Sequence, residues 1–224
     1  MTVAERLAET HQRIANAAEA AGRDPKLVRL VAVSKTKSEA MIREAYAAGQ
    51  RAFGESYAQE LERKAVALAD LADLEWHFIG HLQSNKAKVI AKHAHVVHAV
   101  DGSALARELG KRASTAGRTL DALVEVKLSR EPTKHGALPE ELEEVLAAIE
   151  GQSALRLRGL MTMPELGDLA AAKSAFSTLK SLRELHGGAR RLPELSMGMS
   201  GDLEIAIAEG ATLVRVGTAI FGER

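Results

Sequence analysis

Lys35 lies two residues after a short apolar run, residues 30–33, and its position is the first feature of this sequence that can support covalent chemistry. The run is rich in β-branched residues and predicts a strand buried on both faces, as in a parallel sheet. Active sites of α/β proteins form at the carboxyl ends of such strands. A lysine amine that is partly unprotonated forms a Schiff base with a carbonyl compound. The alternative is an ordinary solvated lysine at a strand end.

Two loops of small residues near the end of the sequence indicate a phosphate site. Ser200 stands where a loop meets a predicted helix, so its hydroxyl and free backbone N–H groups can hold an anion. Gly217 and Thr218 follow the last predicted strand, where glycine lets backbone N–H groups approach a ligand closely. Barrels of alternating strands and helices commonly bind phosphate after strands seven and eight. The alternative is a helix cap and a simple turn.

Arg215 lies inside the last predicted strand, between Val214 and Val216. Strand alternation turns its side chain away from the side that these two valines face. A charge inside a barrel is costly without a partner, so the arginine must face a ligand or a carboxylate such as Glu125. A phosphate site, a neighbouring arginine and Lys35 together predict a phosphorylated aldehyde as ligand. Pyridoxal 5′-phosphate (PLP) fits that arrangement.

The elements that must position these residues alternate along the chain. Apolar runs predict eight strands, which are Val28–Ser34, Arg51–Gly54, Glu75–Gly80, His95–Val100, Leu120–Leu128, Leu155–Met161, Glu194–Met197 and Thr212–Val216. Helical spacing and caps predict helices at Val3–Ala21, Ser38–Ala48, Tyr57–Leu71, Ser84–Lys92, Ser103–Ala116, Pro139–Glu150, Leu169–His186 and Asp202–Glu209.

This alternation predicts a single (β/α)8 TIM barrel spanning residues 1–224 as one domain, with an additional N-terminal helix. The last strand ends near the end of the sequence, so we expect the final helix of the barrel to be missing or very short. The N-terminal helix is then expected to cover that part of the wall. A doubly wound open sheet is the alternative architecture.

Composition narrows the classes of function. The sequence has 224 residues, 46% of them hydrophobic, which suits a globular protein with a sizeable core. Lys and Arg together number 30 and so do Asp and Glu, so the balanced charge disfavours nucleic acid as main partner. The sequence has no cysteine, which excludes disulfides and thiolate metal sites. The charged, amphipathic first 14 residues and the lack of a long apolar run predict a cytoplasmic protein.

Several motifs resemble one known family closely. They are VAVSKTK, FGESYAQE, WHFIGHLQSNK, KHG and LSMGMSGDLEIAIAEGATLVRVGTAIFG, in this order along nearly the whole sequence. The chain is identified by them as a member of the pyridoxal-phosphate homeostasis proteins (the YggS/PROSC type). The resemblance implies a barrel related to that of bacterial alanine racemase, here without its C-terminal β domain, and a monomer.

The resemblance also implies roles for individual residues. Lys35 is expected to hold PLP as an internal aldimine, and Arg215 is expected near the pyridine nitrogen. Ser200, Gly217 and Thr218 are expected to hold the phosphate. The predicted cofactor-binding set is completed by Met199, Ser56 and His77. Ser56 stands where the family usually has asparagine, so its contact with the ring is the one that this sequence puts in question.

His77 and His81 are four residues apart, a spacing that can suggest a metal site. They flank Gly80 at a predicted strand end, so helical geometry does not apply, and no carboxylate or cysteine in the motif completes a ligand set. We therefore expect no metal. Lys134, in the loop after the fifth strand, is a second amine that can accept the cofactor by transimination, or an ordinary solvated lysine.

The expected function is that of a protein that binds, buffers and delivers PLP without robust catalysis, with apo forms of PLP-dependent enzymes as recipients. An arginine beside the pyridine nitrogen keeps that nitrogen unprotonated, which weakens the ring as an electron sink. Racemases of this fold add a tyrosine from a further domain of the partner subunit, whereas Tyr46 and Tyr57 lie early in this sequence. The alternatives are a racemase or decarboxylase that uses Lys35 as its base, and a cofactor-free Schiff-base aldolase.

Overall fold

The computed structural model describes residues 1–129, 131, 134–165 and 167–223. Within these ranges eight parallel strands close into a barrel in chain order, because the first strand pairs with the last. They are β1 (Arg29–Val33), β2 (Ala52–Glu55), β3 (Glu75–Phe78), β4 (Val96–Val100), β5 (Leu120–Glu125), β6 (Leu155–Met161), β7 (Glu194–Ser196) and β8 (Leu213–Val216). The closed barrel confirms the predicted TIM-barrel class and excludes the open sheet.

Helices surround the barrel and connect its strands. Among the described residues they are α1 (Val3–Ala20), α2 (Glu39–Ala47), α3 (Ala58–Ala67), α4 (Ala87–His93), α5 (Ser103–Thr115), α6 (Leu142–Glu150), α7 (Leu169–Leu185), α8 (Gly188–Arg191), α9 (Leu203–Ala208) and α10 (Thr218–Phe221). Ser38 caps α2 as predicted, since its side chain accepts a hydrogen bond from the Met41 N–H. Within the described ranges, no helix combines the length and apolar character that crossing a bilayer requires.

Two apolar clusters stabilise the barrel, one inside it and one between strands and helices. Strand alternation separates them: Val31 of β1 points inward, while Leu30 and Ala32 pack outward. The inner cluster consists of small and medium side chains, namely Val31, Ala52, Val96, Ala99, Leu123, Met161 and Leu213. The low aromatic content of the sequence, 3%, agrees with a core made mainly of Ala, Leu, Val and Ile.

The N-terminal helix closes the wall that α10 leaves incomplete. Helix α10 spans only four residues, and α1 packs against α2, α9 and α10. Thr2 and Glu5 form a capping box that begins α1, and its buried face includes Leu7 and Ile14. Both expectations about the wall, a very short last helix and coverage by the N-terminal helix, are confirmed.

One predicted boundary is wrong for a clear reason. The fifth strand was expected to reach Leu128, but β5 ends at Glu125. The chain then returns on itself: the Ala137 N–H donates to the Glu125 carbonyl, and the Lys127 N–H donates to the Ala137 carbonyl. The Val126 N–H still donates to the Met161 carbonyl of β6 at 2.8 Å, whereas Lys127 pairs with the returning loop, so regular strand pairing stops at this point.

Leu7→Ala tests whether α1 is an integral part of the barrel. Leu7 is 1% exposed, so truncating it leaves a cavity and we expect a loss of about 2–5 kcal/mol in the free energy of unfolding. Leu185→Ala is the matched control because Leu185 is 77% exposed, and it should change stability by less than about 0.5 kcal/mol. Urea denaturation measures both. Equal effects of the two substitutions would show that α1 does not pack on the barrel in solution.

Candidate functional site

A cavity of about 460 Å³ opens at the carboxyl ends of the strands, where the sequence places its chemically distinctive residues. Its walls come from both halves of the barrel, including Val33 at the end of β1, Ile79 and Gly80 after β3, and the loops after β6, β7 and β8. Of the predicted cofactor-binding residues, the cavity wall contains Lys35, Ser56, Met199, Ser200, Arg215, Gly217 and Thr218. Residues far apart in the sequence are thus brought to one site.

Lys35 is held by the backbone on both sides of it. The Ser34 N–H donates to the Gly54 carbonyl at 2.9 Å, which continues the pairing of β1 with β2. Thr36 has a φ of 64°, a left-handed conformation that is uncommon for a β-branched residue. The Thr36 N–H donates to the Glu60 carboxylate at 2.7 Å. This sharp turn directs the chain away from the strand immediately after Lys35.

A buried ion cluster stabilises this turn. The Lys64 ammonium, with no exposed side-chain surface, donates to the Ser34 carbonyl at 2.6 Å and to the Glu55 carboxylate at 2.7 Å. It also pairs with Glu60 at 2.8 Å. The Ser34 hydroxyl donates to the same Glu55 oxygen at 2.6 Å. The Lys64 ammonium connects α3 to β2 and to the end of β1. It therefore fixes the backbone that carries Lys35.

Glu55 makes this cluster energetically sensitive. Burial raises the pKa of its carboxyl group, against the opposing effect of Lys64. Its second oxygen, Oε2, is buried and has no hydrogen-bond partner among the described residues. Removing the single ammonium would therefore leave buried carboxylates without compensation, which costs far more than the loss of a surface pair.

The two predicted phosphate loops meet in the cavity. The Thr218 hydroxyl donates to the Ser200 hydroxyl oxygen at 3.3 Å, so the groups that follow β7 and β8 converge. A Cβ on Gly217 would lie 3.1 Å from the Val33 carbonyl oxygen, and one on Gly198 would lie 2.4 Å from the Ala206 Cβ. Glycine is thus required for the close approach of these loops to the barrel.

Helix α1 reaches the same loops. Arg13 donates to the Ser200 carbonyl at 2.9 Å and also forms a two-point ion pair with Glu204 at the start of α9. In the loop itself, the Met199 N–H donates to the Asp202 carboxylate at 2.6 Å. The N-terminal helix therefore positions the loop that carries Ser200, a role that the sequence alone did not indicate.

Arg215 lies at the inner end of the cavity and is 3% exposed. It donates to the Ser196 hydroxyl at 2.6 Å and to the Thr162 carbonyl at 3.0 Å. Burial lowers its pKa to about 10, which still leaves it charged at neutral pH. Among the described ion pairs it has no carboxylate partner within 4 Å. The structure therefore lacks the direct ion pair with Glu125 that the sequence offered as the alternative.

His77 is the predicted cofactor residue that the described cavity wall lacks. It is 1% exposed and lies within β3, where its ring contacts Glu75 and His98 and not the cavity. The prediction took the strand as reaching Gly80. Ile79, two residues later, points inward on the same side as His77. It lies nearer the carboxyl end of the strand and lines the cavity instead. Counting this alternation from the strand end places His77 away from the cavity wall, and its role in cofactor binding stays a prediction.

His81 meets two residues that sequence reasoning did not bring to it. Its ring stacks on the His135 ring with centroids 3.6 Å apart, and its Nδ1 lies 3.4 Å from the Asp101 carboxylate. Potential ligand atoms of the three residues lie within 4.8 Å of one another, so a carboxylate does complete a set here. Both histidines are exposed, and the stacking and the ion pair account for the arrangement without an ion. The absence of a metal stays a prediction.

Glu125 is a buried acid at the same mouth of the barrel. Burial, reinforced by the charge of Asp101, raises its pKa to about 7, while Arg215 and Lys134 oppose this shift. Whether Lys134 accepts the cofactor stays a prediction.

Comparisons with known proteins agree with this geometry. Residues 6–224 match the family model of the alanine racemase N-terminal domain. The chain therefore has the barrel of the alanine racemase class, in agreement with the closed sheet and the cavity at its carboxyl end.

More similar relatives define the family within that class. A pyridoxal phosphate homeostasis protein of Pseudomonas aeruginosa is 49% identical over 225 residues, covering 100% of this chain and 96% of the relative. PipY of Synechococcus elongatus PCC7942, solved without PLP, is 43% identical, with a TM-score of 0.89 over 99% of this chain and 100% of PipY. The same protein solved with PLP bound gives a TM-score of 0.85 at 42% identity, with the same coverage. The chain belongs to the pyridoxal phosphate homeostasis protein family.

Lys64→Met tests the ion cluster below Lys35. The substitution leaves two carboxylates without their cation. We therefore expect the free energy of unfolding, measured by urea denaturation, to fall by about 3–5 kcal/mol. Arg63→Met is the matched control, one residue away in α3: Arg63 pairs with Glu39 on the surface, and its loss should cost at most about 1 kcal/mol. If Lys64→Met were as mild as this control, the cluster would not stabilise the turn.

The pH dependence of stability in the Glu125→Gln variant tests the raised pKa of Glu125. The folded protein binds the Glu125 proton more tightly than the unfolded chain does, since the pKa rises from 4.5 to about 7. Its ionisation therefore costs nothing below pH 4.5, and stability falls as the pH rises from there to about 7. We expect the substitution to stabilise the protein at pH 8.5 by up to about 3 kcal/mol relative to its effect at pH 4.5. A difference between variant and parent that does not change with pH would contradict the shift.

Proposed function

We propose that this chain binds PLP through a Schiff base on Lys35 and serves in PLP homeostasis, by buffering the cofactor and delivering it to apo enzymes. The observation that carries the proposal is the cavity itself. It places one lysine after β1 and two hydroxyl-bearing glycine loops after β7 and β8, with a buried arginine between them. The PLP-bound structure of PipY supports the same ligand.

Each residue of the site has a role that suits its chemistry. The Lys35 amine attacks the aldehyde carbon, and loss of water leaves a carbon–nitrogen double bond. Ser200, Thr218 and the backbone at Gly217 hold the phosphate, because hydroxyl and N–H groups are good donors to phosphate oxygens. Arg215 faces the ring nitrogen and disfavours its protonation. Met199 and Ser56 belong to the cavity wall and would complete the set of residues around the cofactor.

The side chains present favour holding the cofactor over transforming it. A ring nitrogen that stays unprotonated makes the bound cofactor a poor electron sink, so carbanion chemistry gains little from it. The two tyrosines of the sequence do not supply a second acid/base here. Tyr46 hydrogen-bonds Asp73 through its hydroxyl, Tyr57 is 52% exposed, and neither belongs to the described cavity wall.

The rival function is that of an amino-acid racemase or decarboxylase, which the alanine racemase class of the barrel favours. The two functions differ in what happens at the α-carbon of a bound amino acid. Incubation of the PLP-loaded protein with a panel of amino acids in deuterium oxide separates them. We expect no α-deuteration on the timescale of turnover, and rapid exchange with product formation would establish the enzyme instead.

Borohydride reduction of the PLP-loaded protein tests the covalent link. We expect reduction to fix the cofactor permanently, with peptide mass spectrometry placing the label on Lys35. Lys35→Ala should lose both the absorption band and the reducible label. Lys37→Ala is the matched control, because Lys37 donates to carbonyls at the end of the chain and should leave labelling intact. A label that persists in Lys35→Ala would assign the bond to another amine.

A further inference from the structure

A line of polar side chains runs through the barrel interior, away from the cavity, towards the opposite mouth. From the cavity, Arg215 donates to the Ser196 hydroxyl at 2.6 Å. Ser196 Oγ lies 2.8 Å from His98 Nδ1, and His98 Nε2 lies 2.8 Å from His77 Nδ1. His77 Nε2 lies 3.2 Å from a Glu75 oxygen. Four successive contacts thus join a cation of β8 to a carboxylate of β3.

Donor and acceptor rules give this line one direction. Arginine only donates, so Ser196 accepts from Arg215, and its own proton is directed to His98 Nδ1. A neutral His98 then carries its proton on Nε2 and donates to His77 Nδ1. His77 in turn carries its proton on Nε2 and donates to Glu75, which only accepts when ionised. Every polar atom along the line is satisfied by this single assignment.

The opposite direction satisfies fewer groups. It would require His77 Nε2 to accept a hydrogen bond from Arg29, whose Nη2 lies 3.3 Å away. The lone pair of His77 Nε2 would then face the Glu75 carboxylate, which repels it. The Ser196 hydroxyl would accept hydrogen bonds from both Arg215 and His98. Arg29 already pairs with Glu75, so it does not need this acceptor.

Electrostatics keep both histidines neutral, as the assignment requires. Burial lowers the pKa of His98 well below its ordinary value, and the positive charges of Arg215 and Arg29 add to this effect. Burial also lowers the pKa of His77, although Glu75 opposes it. At the far end the pKa of Glu75 is lowered to about 2 despite its own burial, since His77 and Arg29 stabilise the carboxylate.

We propose that Glu75, His77, His98 and Ser196 form one directed hydrogen-bond chain that orients the Arg215 guanidinium towards the bound ligand. These four are positioning residues, since they act on the ligand through Arg215. Two donors of Arg215 are used by Ser196 and Thr162, which fixes the plane of the guanidinium and leaves its other N–H groups for the cavity. The ligand half of this proposal rests on the proposed function, whereas the tautomers of the two histidines do not.

The far end of the chain makes the proposal unusual and testable. Glu75 lines a separate polar cavity of about 320 Å³ at the amino ends of the strands, together with His95 and Asp121. A substitution at that mouth is therefore expected to change the state of a cofactor bound at the other, although Glu75 is not part of the described wall of the cofactor cavity.

The first experiment uses the cofactor-free protein and nitrogen-15 NMR of the imidazole rings. We expect His77 and His98 to be neutral at pH 7 with the proton on Nε2 in both. A proton on Nδ1 of either ring, or a charged ring, would overturn the directed chain. This result does not depend on PLP binding, so it stands apart from the outcome for the proposed function.

The second experiment compares paired substitutions in the PLP-loaded protein by absorption spectrum and dissociation constant. His98→Leu breaks the chain, whereas His98→Gln keeps an acceptor and a donor in similar places. We expect His98→Leu to shift the cofactor band and weaken binding about tenfold, an effect of the size that the loss of one hydrogen bond produces. His98→Gln should stay close to the parent protein. Equal behaviour of Leu and Gln variants that both fold would overturn the proposal.

Two further variants extend the test along the chain. Ser196→Ala removes the hydroxyl and should resemble His98→Leu, while Ser196→Thr keeps it and should restore the parent spectrum. Glu75→Leu should shift the band from the opposite mouth, and His95→Gln beside it is the matched control. His95 accepts from the Trp76 N–H and lies outside the chain. If the parent protein forms the Lys35 adduct but Glu75→Leu leaves its spectrum unchanged, the chain fails while the proposed function stands.

Discussion

The contact on which the site depends most is the one between the buried Lys64 ammonium and the Ser34 carbonyl. It connects α3 to the backbone immediately before Lys35, and Glu60 holds the N–H immediately after it. A lysine at a strand end samples many directions when its backbone is loose. Here the flanking groups are held by charged partners inside the protein, where electrostatic interactions are stronger than in water. The backbone that carries the Lys35 side chain is thus held rigidly.

Charge is distributed in the barrel so that each buried cation has a different task. Lys64 holds the backbone next to Lys35, and Arg215 is oriented by the hydrogen bonds that it donates to Ser196 and Thr162. Neither arrangement is the cheapest way to fill a core, because apolar side chains of similar size often give equal or greater stability. The retention of charge at these places is what a site for an anionic, aldehyde-bearing ligand requires.

Much of the fold followed from local patterns, because a buried parallel strand leaves a continuous apolar run and its ends are marked by glycine and polar residues. Seven of the eight predicted cofactor-binding residues line the cavity, since they stand near strand ends or in long motifs. The described cavity wall lacks His77, because its depth in the barrel depends on where β3 ends. The contributions of Lys64 and Arg13 were not predictable: both look like ordinary helix-surface residues until the packing of α3 and α1 is known.

A crystal structure of the protein soaked with PLP tests the central claim most directly. The account predicts continuous electron density from Lys35 Nζ into the cofactor, with the phosphate between Ser200 and Thr218 and the ring nitrogen facing Arg215. An empty cavity at a saturating concentration of PLP would contradict it, and so would a phosphate bound away from these loops.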